Sequence, residues 1–336
     1  MDPKVNRAKG ARLLVRASGA RRHRVRRYTP RTGGAERPAP LGRFDKFDRF
    51  HKFHKEVSFS MSELVQIGIG GHREGFRATE RRDSWWSGPA AFVCLFSGFV
   101  VYTTWAALQG DHYFHGSYLS PFYSPVLFTK IGVPGAAPAD HAWLGTWPSW
   151  WPSFLPASPA LLILFFPAAF RATCYYYRKA IYRSFAATPP ACAVGGIGQS
   201  RYDGETGLLL FMNLHRYVLY PTLLYPVVLY YDAFVSFFRY GEFGVGVGCF
   251  VLLINATLIT GYTCGCHCFR HLVGGRLDSY SSSGSGKTRF RLWEKVSQLN
   301  ANHAQWALVS MVWVGLTDLY VRLVSMGYLA DRTSWD

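Results

Sequence analysis

Five long apolar runs between Pro89 and Val324 restrict this chain to folds that a lipid bilayer permits. They cover about Pro89–Leu108, Pro159–Tyr177, Leu208–Phe238, Val245–Cys268 and Ala304–Val324. Each has, or nearly has, the roughly twenty residues that a helix needs to cross the hydrocarbon core. In hydrocarbon every backbone N–H and C=O must be satisfied inside its own segment, so such runs fold as helices. The expectation is an all-α integral membrane bundle of about five transmembrane helices. Trp85 and Trp86 precede the first run as interface aromatics. The third is long enough to tilt, and Pro221 and Pro226 kink it by removing intrahelical donors.

A mean hydropathy of +0.02 conceals this apolar body, because a very polar start dilutes it. Of the formal charge of +17, most falls in residues 1–60, which hold 17 Lys/Arg against 5 Asp/Glu. That stretch includes Arg21-Arg22-His23-Arg24-Val25-Arg26-Arg27 and phenylalanines every third position from Phe44 to Phe53. A period of three fits neither helix nor strand, and no nucleic-acid-binding module accompanies the charge. Residues 1–84 therefore read as a basic, largely disordered segment, with Met61 as an alternative start, and residues 85–330 as the membrane domain.

Basic residues orient the bundle. Arg178, Lys179, Arg183 and Arg201 lie between spans two and three, and Arg276, Lys287, Arg289, Arg291 and Lys295 between four and five. The stretch 109–158 has only Lys130 against Asp111 and Asp140. Basic loops stay in the cytoplasm, so the N-terminus is cytoplasmic and the protein is multi-pass in the cytoplasmic (inner) membrane. Residues 141–156, rich in Trp and Pro, read as an outer interfacial hairpin. Gly284-Ser285-Gly286-Lys287-Thr288 lacks the earlier glycine of a phosphate loop, since Ser281 stands there, and reads as a flexible linker. There is no internal repeat of the kind that many transporters carry, so a small-solute transporter is only the rival from another class.

Thiols and imidazoles gather at the inner ends of these spans. Span two ends with Arg171-Ala172-Thr173-Cys174-Tyr175, and the next loop holds Cys192. Span three opens near His215-Arg216-Tyr217, span four ends in Cys264-Gly265-Cys266-His267-Cys268 followed by His271, and span five opens at His303. On a regular helix Cys266 points away from Cys264, His267, Cys268 and His271, unless Gly265 loosens the helix end. Such a donor set suits zinc, a haem between two histidines such as His215 with His271 or His303, or a two-iron, two-sulfur cluster with two Cys and two His. In its oxidised form that cluster is electrically neutral, which lowers the cost of placing it beside lipid.

From about residue 89 onward the chain also resembles the membrane-anchor subunits of actinobacterial-type succinate dehydrogenases. The likeness is carried by Cys174-Tyr175-Tyr176-Tyr177-Arg178-Lys179, Pro189-Pro190-Ala191-Cys192, His215-Arg216-Tyr217, Tyr231-Asp232-Ala233, Cys266-His267, Arg270-His271-Leu272-Val273-Gly274-Gly275 and Thr317-Asp318-Leu319-Tyr320-Val321-Arg322. Cys264 and Cys268 depart from the family's pattern. The resemblance implies an anchor of respiratory complex II that passes electrons from a soluble iron–sulfur subunit, through an embedded Rieske-type [2Fe–2S] cluster, to menaquinone or ubiquinone. It also implies flavoprotein and iron–sulfur partner subunits on the cytoplasmic face, with no dicarboxylate chemistry in the anchor itself. The ligands expected on this basis are Cys174, Cys192 and Cys266 for sulfur, with His215, His267 and His271 for nitrogen. A haem b anchor is the alternative. His303, Tyr175, Tyr217 and Arg171 are the expected quinone-binding residues. Within the bilayer, Asp318 and Arg322 stand four apart on one helix face and are expected to pair.

Overall fold

The computed structural model describes residues 75–197, 213–239, 241–275 and 284–335, all within the unit Gly71–Asp336. The arginine-rich run, the phenylalanine repeat and Met61 lie outside the described residues. The first described segment is joined to the loop that carries Cys192. Arg77 N donates to Gly195 O and Gly195 N to Ala78 O, both at 2.8 Å, and Arg81 Nη1 donates to the Cys192 carbonyl at 2.9 Å.

Among the described residues, four helices are long and apolar enough to cross a membrane: Ser87–Gln109, His215–Val235, Val247–Cys264 and His303–Ser325. The first is α1 (Ser87–Gln109), which leaves Leu95, Val100, Val101 and Trp105 exposed, as a lipid-facing helix does. It stops at Gly110, whose left-handed φ of 72° forms the C-cap. The last, here α10 (His303–Ser325), buries polar residues instead, among them Ser310, Thr317, Asp318 and Arg322. It packs on α7 (Val247–Cys264), where a β-carbon at Gly261 would meet the Trp306 ring at 2.6 Å. Small residues let membrane helices approach this closely.

The second expected span is not one helix. It folds as α2 (Pro159–Ile163), α3 (Phe165–Ala172) and α4 (Tyr175–Ser184). Pro167 has no N–H for the Ile163 carbonyl, which accepts from the Tyr225 hydroxyl instead. The second break falls at Cys174, whose ψ of 128° turns the chain extended between α3 and α4. The segment still runs the height of the bundle. Ser158 lies beside Tyr123 and Gly110 at one end, and Cys174 approaches His303 at the other.

The third span is α5 (His215–Thr222) followed by α6 (Leu224–Val235), divided at Leu223 between Pro221 and Pro226. The fourth ends earlier than the apolar run. Cys266 is extended (ψ 144°), and a new helix, α8 (His267–Gly274), begins after it. Then α9 (Gly284–Ala301) starts at Gly284, so the Gly/Ser stretch expected as a linker is helical.

Two short hairpins lie at the end opposite Cys174: β1 (Phe114–His115) with β2 (Tyr118–Leu119), and β3 (Phe238–Arg239) with β4 (Glu242–Phe243). The tryptophan-rich segment is a compact loop and not a hairpin, because its one bridge, Thr129 with Thr146, is parallel. The Trp143 and Leu144 amides bond to the Val126 and Leu127 carbonyls, and Trp143, Trp150 and Phe154 stay exposed.

Candidate metal centre

Two helix breaks build this site. Cys174 and Cys266 are both extended residues at the N-terminal caps of short helices, α4 and α8, and so leave the helix surfaces they would otherwise share. Gly265 makes the second break possible. The Cys266 Sγ accepts from the Cys268 amide at 3.3 Å, taking the place of a capping oxygen.

Each thiol meets one imidazole. Cys266 Sγ lies 3.1 Å from His215 Nε2, and Cys174 Sγ lies 3.8 Å from His303 Nε2. The two histidines open α5 and α10, so four elements deliver four donors to one depth. All four are buried, with 1% exposure at Cys174, 2% at Cys266, 7% at His215 and 2% at His303. Chain neighbours tie the pairs together. Thr173, beside Cys174, bonds His215 Nδ1 at 2.9 Å, and a β-carbon on Gly265, beside Cys266, would stand 3.4 Å from His303 Nδ1. Phe170 stacks on His215 with ring centres 4.3 Å apart, and Tyr262 stacks on His303 at 5.1 Å. These faces hold both rings in place and screen them from lipid.

A third thiol stands close. Donor atoms of His215, Cys266 and Cys268 all lie within 4.8 Å of one another. The shared hydrogen bond between Cys266 and Cys268 pushes the first thiol up and draws the second down to about 7.

The other expected ligands are elsewhere. Cys192 is exposed in its loop, and His267 and His271 are exposed on α8. The structure does not bring these three to the buried donors: the break at Gly265–Cys266 turns α8 away, and Cys192 lies in the loop that follows α4. Among the expected quinone residues, His303 is a member of the buried donor set, while Tyr175 and Tyr217 are exposed. Arg171 is partly buried, with its guanidinium 4.7 Å from the Tyr262 ring and hydrogen bonds to the Ala307 carbonyl and Ser310 hydroxyl. Sequence reasoning did not assign roles to Thr173, Phe170 or Tyr262. Their contacts cross between elements and have no local signature.

Arg171 and Tyr262 also line an apolar cavity of about 110 Å³ between α1, α3, α5, α6, α7 and α10. Its lining residues include Thr103, Tyr262 and Thr263, whose hydroxyls are buried without a hydrogen-bond partner. Toward the far end of the bundle, Arg322 Nε lies 3.3 Å from Asp318 Oδ2.

Fold and site together define a multi-pass helical membrane protein with buried thiols and imidazoles gathered at one end of the bundle. The family described as actinobacterial succinate dehydrogenase subunit SdhC matches residues 87–327, and the chain belongs to it: it is a membrane subunit of succinate dehydrogenase. A chain of the Mycobacterium smegmatis Sdh1 complex in the apo form is similar to it, with 38% sequence identity and a TM-score of 0.66. That alignment covers 78% of this chain and 97% of the other. No curated protein matches the chain.

Proposed function

We propose that this subunit passes electrons to a quinone, holding a Rieske-type [2Fe–2S] cluster with Cys174, Cys266, His215 and His303 and binding the quinone in the adjoining cavity. The observation that carries the reading is the burial of two thiols and two imidazoles from four elements, each thiol facing an imidazole Nε2. The donor set fits the group: two thiolates balance the charge of the oxidised iron–sulfur core, so the site is neutral where charge is costly. Histidine ligation supplies a one-electron couple at a potential that a quinone can accept.

This chain's own residues do the remaining work. Thr173 fixes the His215 ring through Nδ1, leaving Nε2 for ligation. The His303 Nδ1 is buried without a partner and is free to hold or release a proton as the charge at the site changes. Phe170 and Tyr262 form the wall between donors and cavity, and the Tyr262 and Thr263 hydroxyls orient the quinone oxygens. The basic loops support a cytoplasmic position for this end. The exposed Tyr175, Cys192, Tyr217, His267 and His271 then belong to the face on which the flavoprotein and iron–sulfur subunits dock. The similar mycobacterial chain comes from an Sdh1 complex, which supports such an assembly.

A second reading has its own observation. The triad His215, Cys266 and Cys268 suits a single zinc ion. A haem b centre has less support, since each buried imidazole has a thiol at Nε2 and an aromatic ring on its face. Metal and labile-sulfide analysis of the purified complex separates the three. The deciding test is low-temperature paramagnetic resonance of the reduced complex. His215→Ala and His303→Ala each abolish the cluster signal and quinone reduction, whereas His267→Ala and His271→Ala keep the signal. The opposite pattern refutes the assigned ligand set.

A further inference from the structure

Behind the far end of the cavity lies a polar chain that electron transfer does not use. Pro121 and Phe122 close the cavity there. On either side of them in the same loop, Ser120 donates to the carboxylate of Asp318 on α10, and Ser124 to that of Asp232 on α6. Both acids are buried, and each stands about one turn beyond a cavity-lining residue of its own helix, Val314 and Leu229. Asp318 also accepts from the Tyr102 hydroxyl at 2.6 Å, and Thr103, next to Tyr102, is a cavity-lining residue.

The chain continues away from the cavity. Arg322 reaches Asp318 through Nε and the Asp111 carboxylate through Nη1, each at 3.3 Å. The Asp111 side chain is 33% exposed, so this end meets water. From His303 to Asp318 along α10 is about 22 Å at the helical rise, which puts the acid far from the thiol–imidazole donors. Joining helices needs one ion pair. Two buried acids capped by hydroxyls, with a single guanidinium reaching to the surface, exceed that need, and hydroxyls both give and accept protons.

We propose that Asp318, with the Tyr102 and Ser120 hydroxyls bonded to it and Asp111 on its water side, carries protons between the cavity and the aqueous phase opposite the metal centre. The proposal rests on the cavity being the quinone site. Reducing one quinone converts two carbonyls to hydroxyls with two electrons and two protons. The electrons come from succinate, which releases its own two protons at the partner subunits as it becomes fumarate. The two protons for the quinone come from the opposite phase. Each passes from Asp111 to Asp318 through water held beside Arg322, whose guanidinium keeps its protons, and from Asp318 through the Ser120 hydroxyl, next to the cavity-lining Pro121, to the quinone oxygen. Asp318 returns to the carboxylate that faces Arg322. Turnover thereby moves charge across the membrane.

The test uses the whole complex in phosphatidylethanolamine–phosphatidylglycerol vesicles with a pH dye trapped inside. Succinate is supplied outside only, so only complexes with the partner subunits outward turn over. The lumen is expected to become alkaline as quinone is reduced. Asp318→Asn and Tyr102→Phe should lower quinone reduction, relative to reduction of a soluble dye by the same complex, on the order of a hundredfold. An unchanged lumenal pH with the unsubstituted complex overturns the conduit, whatever the variants do. Tyr262→Phe separates the two readings. A raised KM for quinone with no lumenal change removes the conduit and keeps the cavity; an unchanged KM removes the cavity reading and the conduit's inner end with it.

Discussion

At Gly265 a β-carbon would stand 2.5 Å from the Gly261 carbonyl, so only glycine lets α7 end where it does and turn Cys266 inward. Gly265→Ala is therefore expected to assemble poorly loaded complex, with iron content well below one cluster per anchor by metal analysis. Thr173 acts at a similar remove, through His215 Nδ1. Losing such a support costs about 10–100-fold in metal affinity, so Thr173→Val should lose its metal to a chelator at much lower concentration than the unsubstituted subunit. Arg322, 1% exposed, faces both Asp318 and Asp111. Arg322→Leu strands the buried Asp318 and should destabilise the subunit by about 3–5 kcal/mol in thermal unfolding of the purified complex. The double variant Asp318→Leu/Arg322→Leu is expected to lose less than the single one, because it strands fewer charges.

The elements that matter most are the broken ones. A regular helix through Cys174 or Cys266 would place each thiol on a surface set by 3.6-residue periodicity, with its neighbours along the same face. The two breaks release both cysteines from that constraint and put them at the N-termini of α4 and α8, where the helix dipole favours a thiolate. Cys266 has a second duty as the cap of α8. Cys266→Ser and Cys266→Ala should both lose the proposed cluster, but serine keeps a capping oxygen. The serine variant should retain about 0.5–2 kcal/mol of stability that the alanine variant loses, read from denaturant unfolding of the unloaded protein. Equal stability of the two would show that the cap is without energetic weight.

At the scale of the molecule the bundle has two unlike ends. One holds the buried thiol–imidazole pairs and the basic loops; the other holds Asp111, Asp232, Asp318 and the tryptophan-rich loop. If the basic end is cytoplasmic, a cysteine at exposed Ile131 is labelled by a membrane-impermeant thiol reagent in intact cells. Labelling only after the cytoplasmic side is opened would reverse the orientation and the direction of proposed proton flow.

Apolar run length determined the bundle before any coordinates, because hydrocarbon permits a continuous backbone little besides helix. The i, i+4 spacing likewise put Asp318 and Arg322 on one face of one helix. Sequence also showed that thiols and imidazoles collect at one end. It did not determine which of them meet, since that depends on where helices break and which faces then turn inward. The Pro167 break, the extended Cys174 and Cys266, and the cavity walled by six helices arise from contacts between segments far apart in the chain. Only tertiary packing buried His303 and left His267 and His271 exposed, because a helix that ends one turn early redirects every side chain after it.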